Sequence, residues 1–169
     1  MARYDVKKVV FLGLVTSLAM SLNILEAAIP IPAPFPGAKL GLANVVSLFV
    51  IIRYGLGEAI LVNILRTTLT SLILGTLLTP TFYLSFSGGI ASAFTMGIVY
   101  RYFSEHFSMV SISVVGSVTH SVTQIIVASF IADTTGLFLY LPYLLLFSVP
   151  TGIFVGLVVM QILRHNRFP

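Results

Sequence analysis

Apolar residues run through nearly the whole chain, broken by single polar residues at helical spacing and by a few short polar stretches. A membrane-crossing helix needs roughly 20 predominantly apolar residues. That pattern predicts six spans, at about 9–29, 40–52, 56–79, 82–100, 109–131 and 137–163. The second is short, and it follows the run Ile29 to Asn44, IPIPAPFPGAKLGLAN, in which Pro30, Pro32, Pro34 and Pro36 fall within seven residues. Proline lacks a backbone N–H and fixes φ, so this run is neither helix nor central strand. Gly37 permits a turn, and a helix is predicted from near Leu40 with Asn44 a turn inside it. The run reads as a rigid, irregular lid, beneath which the short second helix starts part-way into the membrane. Irregular backbone at that depth is tolerated where protein buries it or where it lines a cavity. Pro142 and Pro150 are expected to bend the last helix.

Composition sharpens this reading. Charged residues make up 8% and hydrophobic ones 57%, with a mean hydropathy of +1.06, whereas soluble domains are about a quarter charged. The expectation is one six-span membrane domain covering residues 1–169, an all-α integral membrane protein. Residues 1–22 superficially resemble a signal peptide, but the apolar stretch is long and no clear small-x-small cleavage site follows, so they read as a retained first span. With no cysteine in the chain, disulfides, thiolate metal sites and cysteine nucleophiles are excluded. The net charge of +4 does not call for nucleic acid, because the basic residues are scattered at helix ends. Six spans put Arg3, Lys7, Lys8, Arg53, Arg101, Arg164 and Arg167 on one side and only Lys39 on the other, with Arg66 inside a span. By the positive-inside rule both termini are cytoplasmic, and the lid, the 79–87 connection and the 133–136 turn face outward.

Polar groups inside spans are costly and usually face a bundle interior or a cavity. Asn23 and Glu26 lie one turn apart near the outer end of the first helix; Asn63, Arg66, Thr67 and Thr70 share a face of the third; Ser113, Gly116, His120, Thr123 and Gln124 recur at helical spacing on the fifth. With Lys39, Asn44, Ser85 and Ser87 they outline a polar pocket under the lid. Each has a plainer reading: Glu26 pairing with Lys39 or Arg66, His120 as a helix–helix hydrogen bond, the serines bonding their own helix. Arg66 is hardest to explain away, since its guanidinium stays charged and needs oxygens around it. Small residues recur every four positions at Gly13, Ser17 and Ser21, at Gly89, Ala93 and Gly97, and at Gly152 and Gly156. Such stripes let helices approach closely, within this chain or in a partner.

Catalytic chemistry is poorly supplied. The two aspartates, Asp5 and Asp133, lie at opposite ends of the molecule, which does not suit the clustered aspartates that hold magnesium and diphosphate in prenyl transfer. His106, His120 and His165 lack zinc-ligand spacing, and no P-loop is present. No catalytic residue, metal site or cofactor is predicted, and a binding subunit that relies on partners fits better than an enzyme.

The segments PFPGAKLGLAN, GLGEAILVNILRTTL and GTLLTPTFYLSFSGGIAS with its later MG resemble the bacterial Gx transporter family, also labelled heptaprenyl diphosphate synthase component I. The resemblance covers most of the chain, and the layout is similar to the substrate-binding S components of energy-coupling factor (ECF) transporters. It implies a six-helix bundle in the bacterial cytoplasmic membrane with an outward pocket under the loop between helices 1 and 2. It also implies partners: a transmembrane coupling subunit, docked on the small-residue motif at Gly13, Ser17 and Ser21, and two ATPase subunits. The expected substrate-binding set is Asn23, Glu26, Lys39, Asn44, Asn63, Arg66, Ser85, His120 and Gln124, for a small organic molecule such as an anionic quinone or isoprenoid precursor. Relatives linked to quinone synthesis or flavin-based extracellular electron transfer keep a non-transport membrane subunit as the alternative.

Overall fold

The computed structural model describes residues 6–28 and 41–165. The proline-rich lid, including Lys39, lies outside the described residues. Within them the chain forms α1 (Val6–Ala28), α2 (Asn44–Tyr54), α3 (Leu56–Ile73), α4 (Pro80–Phe103), α5 (Met109–Ile131) and α6 (Leu141–His165), with a 3-10 turn at Thr135–Tyr140 leading into α6. All but α2 are long and apolar enough to cross a membrane, the 3-10 turn being counted with α6. With 11 residues, α2 reaches only about 16 Å at 1.5 Å per residue, half the hydrocarbon thickness. The molecule is an all-α integral membrane protein.

Local chemistry sets the element boundaries. Gly55 alone separates α2 from α3: at φ 101 it donates to the carbonyls of Val50 and Ile51 and accepts from the Ala59 N–H. A side chain would strain this backbone. The third helix stops at Ile73, short of the predicted 79, because Gly75 (φ 67) and Leu78 (φ 61) turn the chain. Pro80 occupies the first turn of α4, where its missing N–H is not needed. Ser108 caps α5 by accepting from the Ser111 N–H at 3.1 Å. Asn44 begins α2 rather than lying a turn inside it. Pro142 is the second residue of α6 and leaves no interior carbonyl unpaired, so only Pro150 lies inside that helix.

The helix ends sort by charge. Lys8 Nζ meets Glu58 Oε1 at 2.5 Å, and Phe11 lies 5.6 Å from the Tyr54 ring, so the start of α1 sits at the α2–α3 turn. A Cβ on Gly97 would stand 2.7 Å from Leu56 Cδ1, which brings the end of α4 to the same place, and Gly156 of α6 packs on Val110 near the start of α5. Lys7, Lys8, Arg53, Arg101 and Arg164 therefore gather at one end, while Arg66 alone among the described basic residues lies in mid-span.

The core has three levels. At the basic end a large apolar cluster joins Ala19, Leu48, Val50, Ile51, Ala59, Val62, Met96, Ile112 and Val159. At the far end a smaller one joins Leu84, Ile125, Ala128 and Leu144. Between them α2–α6 turn polar residues inward: Asn44 and Ser47, Asn63 to Thr70, Ser85 to Ser92, Ser113 to Gln124, and Ser148. The short α2 is the hub of this arrangement, touching each of the other five α-helices.

Candidate ligand-binding site

The polar level is built from helix registers. Asn63 and Arg66 stand three residues apart on α3 and so share its inner face. Asn63 Oδ1 accepts from both Arg66 Nε (2.8 Å) and Arg66 Nη2 (2.5 Å), while Asn63 Nδ2 donates to Ser47 Oγ (3.0 Å) and the Ala59 carbonyl (3.1 Å). The Asn63 amide is thereby saturated and fixed between α2 and α3. Arg66 is 4% exposed, about 15 Å along α3 from its start.

Two adjacent glycines on α4 form the opposite wall. A Cβ on Gly89 would stand 3.0 Å from both Arg66 Nη2 and Asn63 Oδ1; one on Gly88 would stand 3.0 Å from His120 Cε1 and Nδ1. Bare backbone at these positions lets the guanidinium from α3 and the imidazole from α5 close on α4 together. Gly41, at φ 88, completes the ring: its N–H donates to Glu26 Oε1 at 2.5 Å, and a Cβ there would lie 2.7 Å from Asn44 Nδ2 and 3.7 Å from His120 Cγ. Glu26, Asn44, Asn63, Arg66 and His120 are thus assembled from four helices, α1, α2, α3 and α5, around Gly41 and the Gly88–Gly89 pair of α4.

Asn23 is buried one turn before Glu26 on α1, Ser85 one turn before Gly88 on α4, and Gln124 one turn after His120 on α5. Lys39 lies outside the described residues. Glu26 acts electrostatically on Arg66, but the direct acceptor of the guanidinium is the Asn63 oxygen. Among the described residues the close ion pair is Lys8–Glu58, on the basic end.

Buried polar atoms without partners concentrate at this level. Asn44 is 1% exposed, yet neither its Oδ1 nor its Nδ2 finds a partner among the described residues, and the same holds for Thr70 Oγ1 and the hydroxyls of Ser85, Ser92, Ser113 and Ser117. Serines on the lipid side behave otherwise: Ser17 and Ser21 bond the carbonyls of Gly13 and Ser17 on their own helix, each at 3.1 Å. Native interiors rarely leave such groups unpaired. The Asn44 amide, open at both ends among the described residues, and the Arg66 guanidinium, with donors beyond those given to Asn63, are the groups of this level that can hydrogen-bond a polar molecule.

Sequence reasoning missed Gly41, Gly88 and Ser47. The signal for Gly88 was available: a Gly-Gly pair in mid-span, flanked by Ser85 and Ser92 on the same helix, marks a close approach rather than a turn.

A model of the heptaprenyl diphosphate synthase component I family matches residues 15–162. The chain belongs to that family. No curated protein and no solved structure matches it. The matched segment takes in the whole polar level. Among the described residues no three of His, Cys, Asp and Glu come together.

The three small-residue stripes have separate fates. Gly89, Ala93 and Gly97 are turned into α3, and Gly152 and Gly156 lie against α5, where an added Cβ would stand 2.7 and 2.5 Å from the Cα atoms of Val114 and Val110. Gly13, Ser17 and Ser21 are exposed among Leu14, Leu18 and Leu25, and nothing lies within 4 Å of a Cβ built on Gly13. Of the three stripes, only the one on α1 is left open to the surroundings.

Proposed function

We propose that this protein is the substrate-binding membrane subunit of an ECF-type uptake transporter, an S component that captures a small organic molecule from outside, in the class of quinone or isoprenoid precursors. The observation that carries the reading is the polar level itself: a buried, incompletely satisfied hydrogen-bonding site at mid-depth, blocked at the basic end by the larger apolar cluster. The positive-inside rule makes the basic end cytoplasmic, so ligand enters from the opposite end. The open α1 stripe is the surface for the coupling subunit, and separate ATPases supply the energy. The protein itself catalyses no reaction.

A second reading takes its lead from the family's description, heptaprenyl diphosphate synthase component I, and from the relatives that the sequence resembles: a non-transport membrane subunit attached to polyprenyl or quinone synthesis, or to flavin-based extracellular electron transfer. Gentle extraction of the tagged protein from its native membrane separates the two. Recovery with a coupling protein and two ATPases supports the transporter subunit. Recovery with a prenyl-transfer enzyme or a flavoprotein, and without ATPases, replaces it with the second reading.

A further inference from the structure

Resting on the polar level as the ligand site, we propose that its ligand is a monocarboxylic acid carrying a second hydroxyl or keto oxygen, and that diphosphates are excluded. Arginine presents five N–H donors in a planar frame. Asn63 Oδ1 engages Nε and Nη2, the pair along one side of that frame. The end of the guanidinium, with one N–H from each Nη, keeps two parallel donors for which no described residue supplies an acceptor. Two parallel donors match the two oxygens of a planar carboxylate. Gly89 lets Nη2 lie close on α4, where a Cβ would stand 3.0 Å from it. Asn44 adds a buried donor and a buried acceptor, both unpartnered among the described residues; a hydroxyl elsewhere on the same ligand satisfies either, and a keto oxygen satisfies the donor.

Charge sets the upper limit. The ionisable groups of the described cluster are Arg66, Glu26 and His120. Arg66 is the one guanidinium or ammonium of the described cluster, and a single carboxylate matches its open end. A diphosphate brings at least two negative charges and leaves an unpaired excess in a buried site, which desolvation penalises heavily.

The test is ligand-dependent thermal stability and direct binding on the full-length protein in detergent. Hydroxybenzoates and hydroxynaphthoates are compared with their carboxamides and with isopentenyl and geranyl diphosphate. At least one acid should bind, its carboxamide at least tenfold more weakly, and neither diphosphate detectably. Arg66→Gln should remove the preference for acid over amide, and Arg66→Lys should restore only part of it. Should Arg66→Gln fail to fold, Gly89→Ala keeps the charge and crowds Nη2, and should weaken the acid at least tenfold. Arg66-dependent diphosphate binding, equal binding of acid and carboxamide, or no binding by any acid overturns the inference. None of these results alters which subunits co-purify, so the transporter reading fails or stands separately.

Discussion

Asn44→Leu separates a binding residue from a structural one, because the two roles predict opposite signs. Asn44 lies at the start of the central helix α2, 1% exposed, with Oδ1 and Nδ2 both unpartnered among the described residues. A buried polar group left without a hydrogen bond costs roughly 1–3 kcal/mol. Leucine has the same branching at Cγ and replaces both atoms with methyl groups. If the amide exists for a ligand, the ligand-free protein should gain about 1–2 kcal/mol, after discounting for strain from the bulkier tetrahedral branch. For a chain of this length that is a rise in Tm of roughly 2–4 °C per kcal/mol. The same substitution should weaken ligand binding at least tenfold, since it removes a donor and an acceptor from the site. Thermal unfolding in detergent, with and without a bound hydroxy acid, reads both effects. A destabilised ligand-free protein would mean that the amide holds the fold together. An unchanged affinity would mean that Asn44 does not touch the ligand. Either result refutes the argument.

Other expectations follow from the packing and the charge distribution. The chain has no native cysteine, so single cysteines at Thr134 and His106, both exposed and at opposite ends, report topology directly; impermeant thiol reagent should label the first from outside and spare the second, and the reverse would invert the site's orientation. Leucine at both Gly13 and Ser17 should leave folding and ligand binding intact while abolishing recovery of a coupling subunit, and survival of that complex would place docking elsewhere. Gly156→Ala should destabilise the fold by about 1–3 kcal/mol, because its Cβ would meet the Val110 Cα at 2.5 Å. Gly13→Ala, which meets nothing within 4 Å, should be neutral or stabilising by up to about 1 kcal/mol. Equal unfolding temperatures for the two alanine variants would contradict the packing described.

The pattern of apolar runs was enough to establish an all-helical membrane protein and the order of its helices, with ends displaced by up to six residues at the close of α3, because bilayer thickness and the loss of water dictate length and backbone satisfaction. Helical spacing also determined which polar side chains share a face: Asn63 with Arg66, Asn23 with Glu26, His120 with Gln124. Those are local relations, fixed by 3.6 residues per turn. What faces what across helices is decided by close packing, which a linear pattern does not encode. Only the tertiary structure showed that Asn63, rather than Glu26, receives the Arg66 guanidinium, and that two glycines of α4 admit Arg66 and His120 side by side. It also placed the short α2 at the hub. The three glycine and serine stripes look alike as sequence, yet two are consumed by helix contacts within the chain and one is left open on α1. Their difference lies in the neighbours, since a stripe of small residues specifies that a helix can approach and not which helix does.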